Sequence, residues 1–148
     1  MGISRLSWYT CVRNTRSIVL WVAIITSWPT SGVNAPGGGA AFGRIRFEKT
    51  FRGGLEATSV VEMLSAGDPA SGSAGYVAVE HIVGVLDGRR GGFMLQHSGA
   101  LHRGAPTLQV VVVPGTGTGE LAGLTGTLRI DIAADGAHAY TFDYAFDQ

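Results

Sequence analysis

From residue 42 onward, apolar side chains recur at every second position over short stretches that glycine interrupts. Arg44 to Phe51 alternates strictly, with Ile45, Phe47, Lys49 and Phe51 on one side and Arg44, Arg46, Glu48 and Thr50 on the other. That two-residue period is the pattern of a strand. Beyond Gly53 and Gly54, residues 55–64 form a second run, followed by a Gly, Asp, Pro and Ser-rich loop over 66–74. Residues 76–86 and 92–100 make the next two strands, and the intervening Asp87-Gly88 predicts a tight hairpin. Tyr76, Ala78, Glu80 and Ile82 share one face of the first; in the second, Phe93, Leu95 and His97 oppose Met94, Gln96 and Ser98.

Residues 101–106 turn the chain into a fifth strand over 107–113, whose Val110 to Val113 run implies apolar contact on both faces. A loop with five glycines over 114–126 implies special backbone angles or close packing against neighbouring chain. Residues 127–133 and 137–146 complete the pattern around a second hairpin signal, Asp135-Gly136. The last strand places His138, Tyr140, Phe142, Tyr144 and Phe146 on one face. No stretch beyond residue 42 has a helical period of useful length. The expected fold is therefore all-β, an antiparallel meander closing into a β-barrel, because closure removes exposed edges.

Residues 1–41 follow a different pattern and are set apart from the 42–148 barrel domain. Arg5, Arg13 and Arg16 precede an apolar run over Ile18–Ile25, and small residues and glycines follow to Ala41. A basic start, a short apolar run and a small-residue tail near Ala35 outline a secretory signal peptide. An atypical extension fits the same residues, with the glycine-rich 36–41 stretch as linker, and a membrane anchor or packed helix is a third reading. The chain is exported on the first reading and cytoplasmic on the second. The apolar run is shorter than the roughly 20 residues a membrane helix needs, so no stable span is expected.

Composition narrows the function. Eleven basic and eleven acidic side chains cancel, leaving no surplus to neutralise phosphates and arguing against a nucleic-acid partner. The lone Cys11 excludes an internal disulfide. His81, His97 and His102 lack metal-ligand spacing with cysteine partners, so no metal is expected. Pro114 to Gly119 looks like a phosphate loop, but no Lys-Ser or Lys-Thr pair follows, so no nucleotide cofactor is implied. A Gly-x-Ser-x-Gly nucleophile elbow is absent, leaving hydrolysis without support.

Several separated segments stand in an order that resembles a bacterial family of unknown function: Glu48 to Gly53 with Leu55 and Glu56, Gly75 to Glu80, Gly92 to Gly99, Gly115 to Gly126, and Tyr140 to Tyr144. The resemblance covers about residues 43 to 146. It implies a barrel similar to that of plant allene oxide cyclase, calycin-like and often oligomeric. The glycine loop is similar to that of dirigent proteins. Members of the resembled family begin with a further strand carrying a tryptophan before the Arg44 to Phe47 segment, and residues 1–41 do not show its pattern. The barrel is accordingly expected to be incomplete at its N-terminal edge, or covered there by the N-terminal segment.

By that analogy Glu80 and His97 are the candidate catalytic, polarising groups and Gln96 an orienting hydrogen-bond partner. Tyr76, Phe93, Tyr140 and Phe142 are candidate cavity walls. Each also has a structural reading: His97 as a satisfied strand histidine, Glu80 paired with an arginine such as Arg129, the aromatic stripe as core or oligomer interface. Two functions follow. One is a small-molecule-binding barrel, with non-hydrolytic isomerase or cyclase activity on an apolar ligand as its catalytic form. The alternative is a non-catalytic homo-oligomeric barrel with a structural, dirigent-like or stress-related role.

Overall fold

In a computed structural model, residues 16–33, 42–132 and 138–147 are described. The chain is almost entirely strand, as the two-residue alternation dictates: β1 (Arg16–Val33), β2 (Phe42–Gly53), β3 (Leu55–Asp68), β4 (Ser73–Leu86), β5 (Arg89–His102), β6 (Ala105–Val112), β7 (Leu124–Ile132) and β8 (His138–Phe146). Two single-turn 3-10 segments, Pro69–Ser71 and Gly119–Leu121, interrupt it. Strands β2 to β8 form a seven-strand antiparallel meander. Strand β1 pairs with β2 on one side and, over Arg16–Trp21, with β8 on the other, so the hydrogen-bonded order returns to its start.

The N-terminal segment is where the structure departs most from the sequence reading. Residues 16–33, set apart there from the fold, form a strand within the sheet and include Trp21 and Trp28. The reason is physical: a continuous apolar run has no period to reveal it as a strand, and its partners lie far along the chain. Of the two arrangements expected at that edge, incompleteness or cover by the N-terminal segment, the pairing of this strand with β2 and β8 is the second. The Asp135-Gly136 hairpin lies outside the described residues.

The Asp87-Gly88 hairpin forms with both residues at positive φ, 46° and 83°, the geometry whose twist matches the flanking strands. Arg103 and Gly104 repeat it at the β5–β6 turn, φ 50° and 80°. Residues that alternation grouped on one face, Phe51, Ile82, Phe93, Leu95, Tyr140, Phe142 and Tyr144, are buried in one cluster with Leu55, Ala57, Leu86 and Leu128. At the end bearing the Asp87 turn the interior is solid, with Phe93 stacked on Phe142 at 5.8 Å and the Tyr144 hydroxyl donating to Asp87 Oδ2 at 2.5 Å.

The seam between β6 and β7 is the thin one, with Val111 opposite Thr127 as its single pair. The glycine loop between these strands compensates by running along the first half of β5. Val113 N–H donates to the Met94 carbonyl at 2.9 Å and Thr118 N–H to that of Gly92 at 2.8 Å. The hydroxyl oxygens of Thr116 and Thr118 accept from the amides of Met94 and Gly92, and the Glu120 carboxylate accepts from Arg90 N–H at 2.8 Å. A β-carbon on Gly91 would collide with the Thr118 carbonyl, which explains why glycine occupies the strand where the loop lies against it. Leu121, at the loop's end, is fully buried in the core.

Candidate functional site

Toward the opposite end the interior changes character. Four polar side chains are buried there: Lys49, Ser59, Glu80 and His97. The register explains their meeting. Lys49 lies directly opposite Ser59, whose other partner is Ile82, two residues beyond Glu80. His97 lies opposite Ala78, two residues before Glu80. The four therefore occupy adjacent inward positions across β2, β3, β4 and β5, each reaching its neighbour diagonally.

Glu80, with no exposed surface, is the hub. Its Oε2 accepts from Lys49 Nζ at 3.0 Å and lies 2.9 Å from His97 Nε2, and its Oε1 accepts from the Ser59 hydroxyl at 2.5 Å. Burial alone would raise its pKa. The His97 hydrogen bond, the Lys49 charge and the Ser59 hydrogen bond outweigh that and hold it below the ordinary carboxylate range, so Glu80 is ionised. Lys49 is ringed by Phe47, Phe51 and Tyr140, with ring centroids 5.6, 5.9 and 5.8 Å from Nζ. Such faces attract a cation in a poorly hydrated site. Burial first, then the Glu80 charge and Tyr76, push the Tyr140 phenol up to about 12, so it stays neutral.

Above this cluster opens a cavity of about 470 Å³. Its walls include Phe47, Val61, Met63, Ala78, Leu108 and Ile130, and its polar lining comes from Lys49, His97, Tyr76 and Tyr140. That size and mixture, mostly apolar with few converging polar groups, are those of small-ligand sites. Glu80 does not line it. The carboxylate orients Lys49 and His97, and they are the groups that meet the cavity. Tyr76 is held over its cross-strand partner Gly99, where a β-carbon would overlap the ring; burial raises its pKa.

The sequence-predicted residues thus divide by location. Glu80, His97, Tyr76 and Tyr140 come together at the cavity or directly beneath it. Phe93 and Phe142 are buried against each other in the solid half and line no part of the cavity. Gln96 stands exposed on the outer face, as its one-residue offset from His97 requires, and cannot orient anything inside. Glu80 pairs with Lys49 and His97, not with Arg129, whose partner is Asp143 at 3.6 Å. Lys49 and Ser59 went unrecognised. Lys49 carried a signal, being a charged residue on the apolar side of the strictly alternating β2; Ser59 carried only its parity with Leu55, Ala57 and Val61. Among the described residues no group of three or more His, Cys, Asp or Glu is placed to hold a metal ion, and no helix is long and apolar enough to cross a membrane.

Residues 23–144 match the family described as protein of unknown function, DUF3224. Among solved structures, the chain is similar to a Shewanella oneidensis protein of unknown function from that family. The two are 42% identical, with 91% of this chain and 99% of that chain covered and a TM-score of 0.83. No curated protein matches.

Proposed function

The chain belongs to the DUF3224 family, whose function is unknown, and from the geometry of its interior we propose that it is a small-molecule-binding barrel of the calycin-like, allene-oxide-cyclase-like type. The observation that carries the reading is the cavity of about 470 Å³ with apolar walls and a buried polar floor. Retaining Lys49, Glu80 and His97 in an apolar interior costs desolvation that hydrophobic residues of similar volume would avoid. The ligand is a small apolar molecule with one oxygen function, its body between Tyr76, Met63 and Ile130 and its oxygen at Lys49 and His97. In its catalytic form the site acts as a non-hydrolytic isomerase or cyclase, holding one conformation of the ligand.

Native mass spectrometry of the full chain, under conditions that keep small molecules bound, tests this. The expected result is a co-purified apolar metabolite that is lost from an Ala78→Phe variant, whose added ring fills the cavity opposite His97. A chain that is empty as purified and takes up no apolar carbonyl compound on addition contradicts it.

One observation favours the second reading, a homo-oligomer. On the outer face Val77, Val79 and Val83 of β4 are about half exposed, at 54%, 48% and 53%, with Leu64 and Met94 beside them on the neighbouring strands. An apolar stripe of this kind marks an association surface. Sedimentation of the wild type against Val79→Asp distinguishes it: the stripe reading requires an oligomer that the aspartate dissociates.

A further inference from the structure

We infer that the cavity floor moves a proton from a carbon next to a carbonyl group, with His97 Nδ1 as the base and Lys49 Nζ as the holder of the oxyanion. The inference rests on the ligand-binding reading above and names its substrate class, an apolar ketone or aldehyde. A carboxylate can only accept, so the hydrogen bond between ionised Glu80 and His97 Nε2 places the proton of a neutral imidazole on Nε2 and leaves the lone pair on Nδ1. No described residue hydrogen-bonds Nδ1. Among the described residues, no side-chain nitrogen or oxygen sealed from solvent lacks a partner. His97 lines the cavity, and with Nε2 held by Glu80, Nδ1 is the ring nitrogen left to meet a ligand there. Lys49 has three N–H bonds, of which one is committed to Glu80; it too lines the cavity.

Charge selects the ligand class. The Lys49 ammonium balances the Glu80 carboxylate 3.0 Å away. The other described titratable groups lining the cavity, Tyr76 of β4 and Tyr140 of β8, are phenols with raised pKa and stay uncharged. A neutral carbonyl enters such a site without adding charge, whereas a ligand carboxylate would bring a second negative group beside Glu80 in apolar surroundings. In the step itself the carbon–hydrogen bond adjacent to the carbonyl breaks and the proton passes to Nδ1. The electron pair forms a carbon–carbon double bond as the carbonyl π pair moves onto oxygen, giving an enolate against Lys49. Return of the proton to the same carbon completes an exchange. Return to the far carbon of a β,γ-unsaturated ketone moves the double bond into conjugation. No oxidant, reductant or co-reactant is consumed. Glu80 is the positioning residue, fixing the tautomer of His97 and the place of Lys49.

The test is deuterium incorporation into 2-decanone and cyclohex-3-enone, followed by proton NMR in heavy water with the full chain, binding being read separately by saturation transfer. The expected result is saturable exchange at least about a hundredfold above buffer. His97→Gln, which keeps a side-chain N–H for Glu80 but has no basic nitrogen, should bind ketone and lose the exchange; Lys49→Met should lose it as well. Gln96→Ala, on the outer face, should change nothing. Glu80→Gln should alter the pH profile of exchange and not only its amplitude. Ketone that binds the wild type but exchanges at the buffer rate overturns the inference and leaves the binding reading standing. Ketone that does not bind at all overturns both.

Discussion

Lys49, Glu80 and His97 show how far a buried ionic cluster depends on completeness. Glu80 is fully buried and its carboxylate is satisfied on both oxygens. Lys49→Met leaves that charge without its cation and should destabilise the fold by about 3–5 kcal/mol, whereas Lys49→Met with Glu80→Gln should recover most of the loss. Urea unfolding of the two variants checks this. The depressed pKa of Glu80 fixes the sign of its pH dependence: its stabilisation is present above the ordinary value of 4.5 and is lost as the pH falls through the lower folded value. Acid unfolding should therefore be steeper in the wild type than in Glu80→Gln. Tyr140 and Tyr144 behave in the opposite sense. Burial with the Glu80 charge, and burial with the Asp87 hydrogen bond, raise them from 10.0 to about 12. Their contribution is present below pH 10 and disappears between 10 and 12, so near-ultraviolet titration of the folded chain should show at least two phenols ionising late, and together with unfolding.

At the scale of elements, alternation carried most of the information. It located β2 to β8 and put Tyr76 and Glu80 on one face of β4 and Tyr140 with Phe142 on one face of β8, because a strand's parity is local, but it did not tell which face turns inward. Parity opposite His97 places Gln96 on the outer face, against the orienting role expected of it. What alternation could not carry was pairing between distant strands. The union of β1 with both β2 and β8 leaves no local mark on an evenly apolar run, and the depth of Phe93 and Phe142 depends on which half of the interior is solid. The glycine loop was recognisable as special, but its docking on β5 required the register. Two outcomes follow at this scale. A chain beginning at Pro36 lacks β1 and exposes the edges of β2 and β8; it should aggregate where the full chain does not, as light scattering would show. Gly99→Val places carbon where the Tyr76 ring lies, so it should displace the ring and shrink the cavity while leaving the β6–β7 seam intact. Loss of ketone binding with a cooperative melt retained would bear this out.

The whole molecule presents two apolar surfaces of different kinds. The outer stripe of β4 is exposed, and a second copy could cover it. The inner cavity opens above the cluster of Lys49, Glu80 and His97, which forms its floor. Family membership and a close structural relative establish the fold but bring no function with them, so the distinction rests on the chemistry of the interior. The most direct measurement is a crystal structure of the full chain soaked with a brominated aliphatic ketone, with the bromine located by its anomalous signal. The bromine should lie inside, among Met63, Tyr76 and Ile130, with the ketone oxygen at Lys49 and His97. A bromine on the outer stripe by Val77 and Val79, with the cavity empty of ketone, would contradict it.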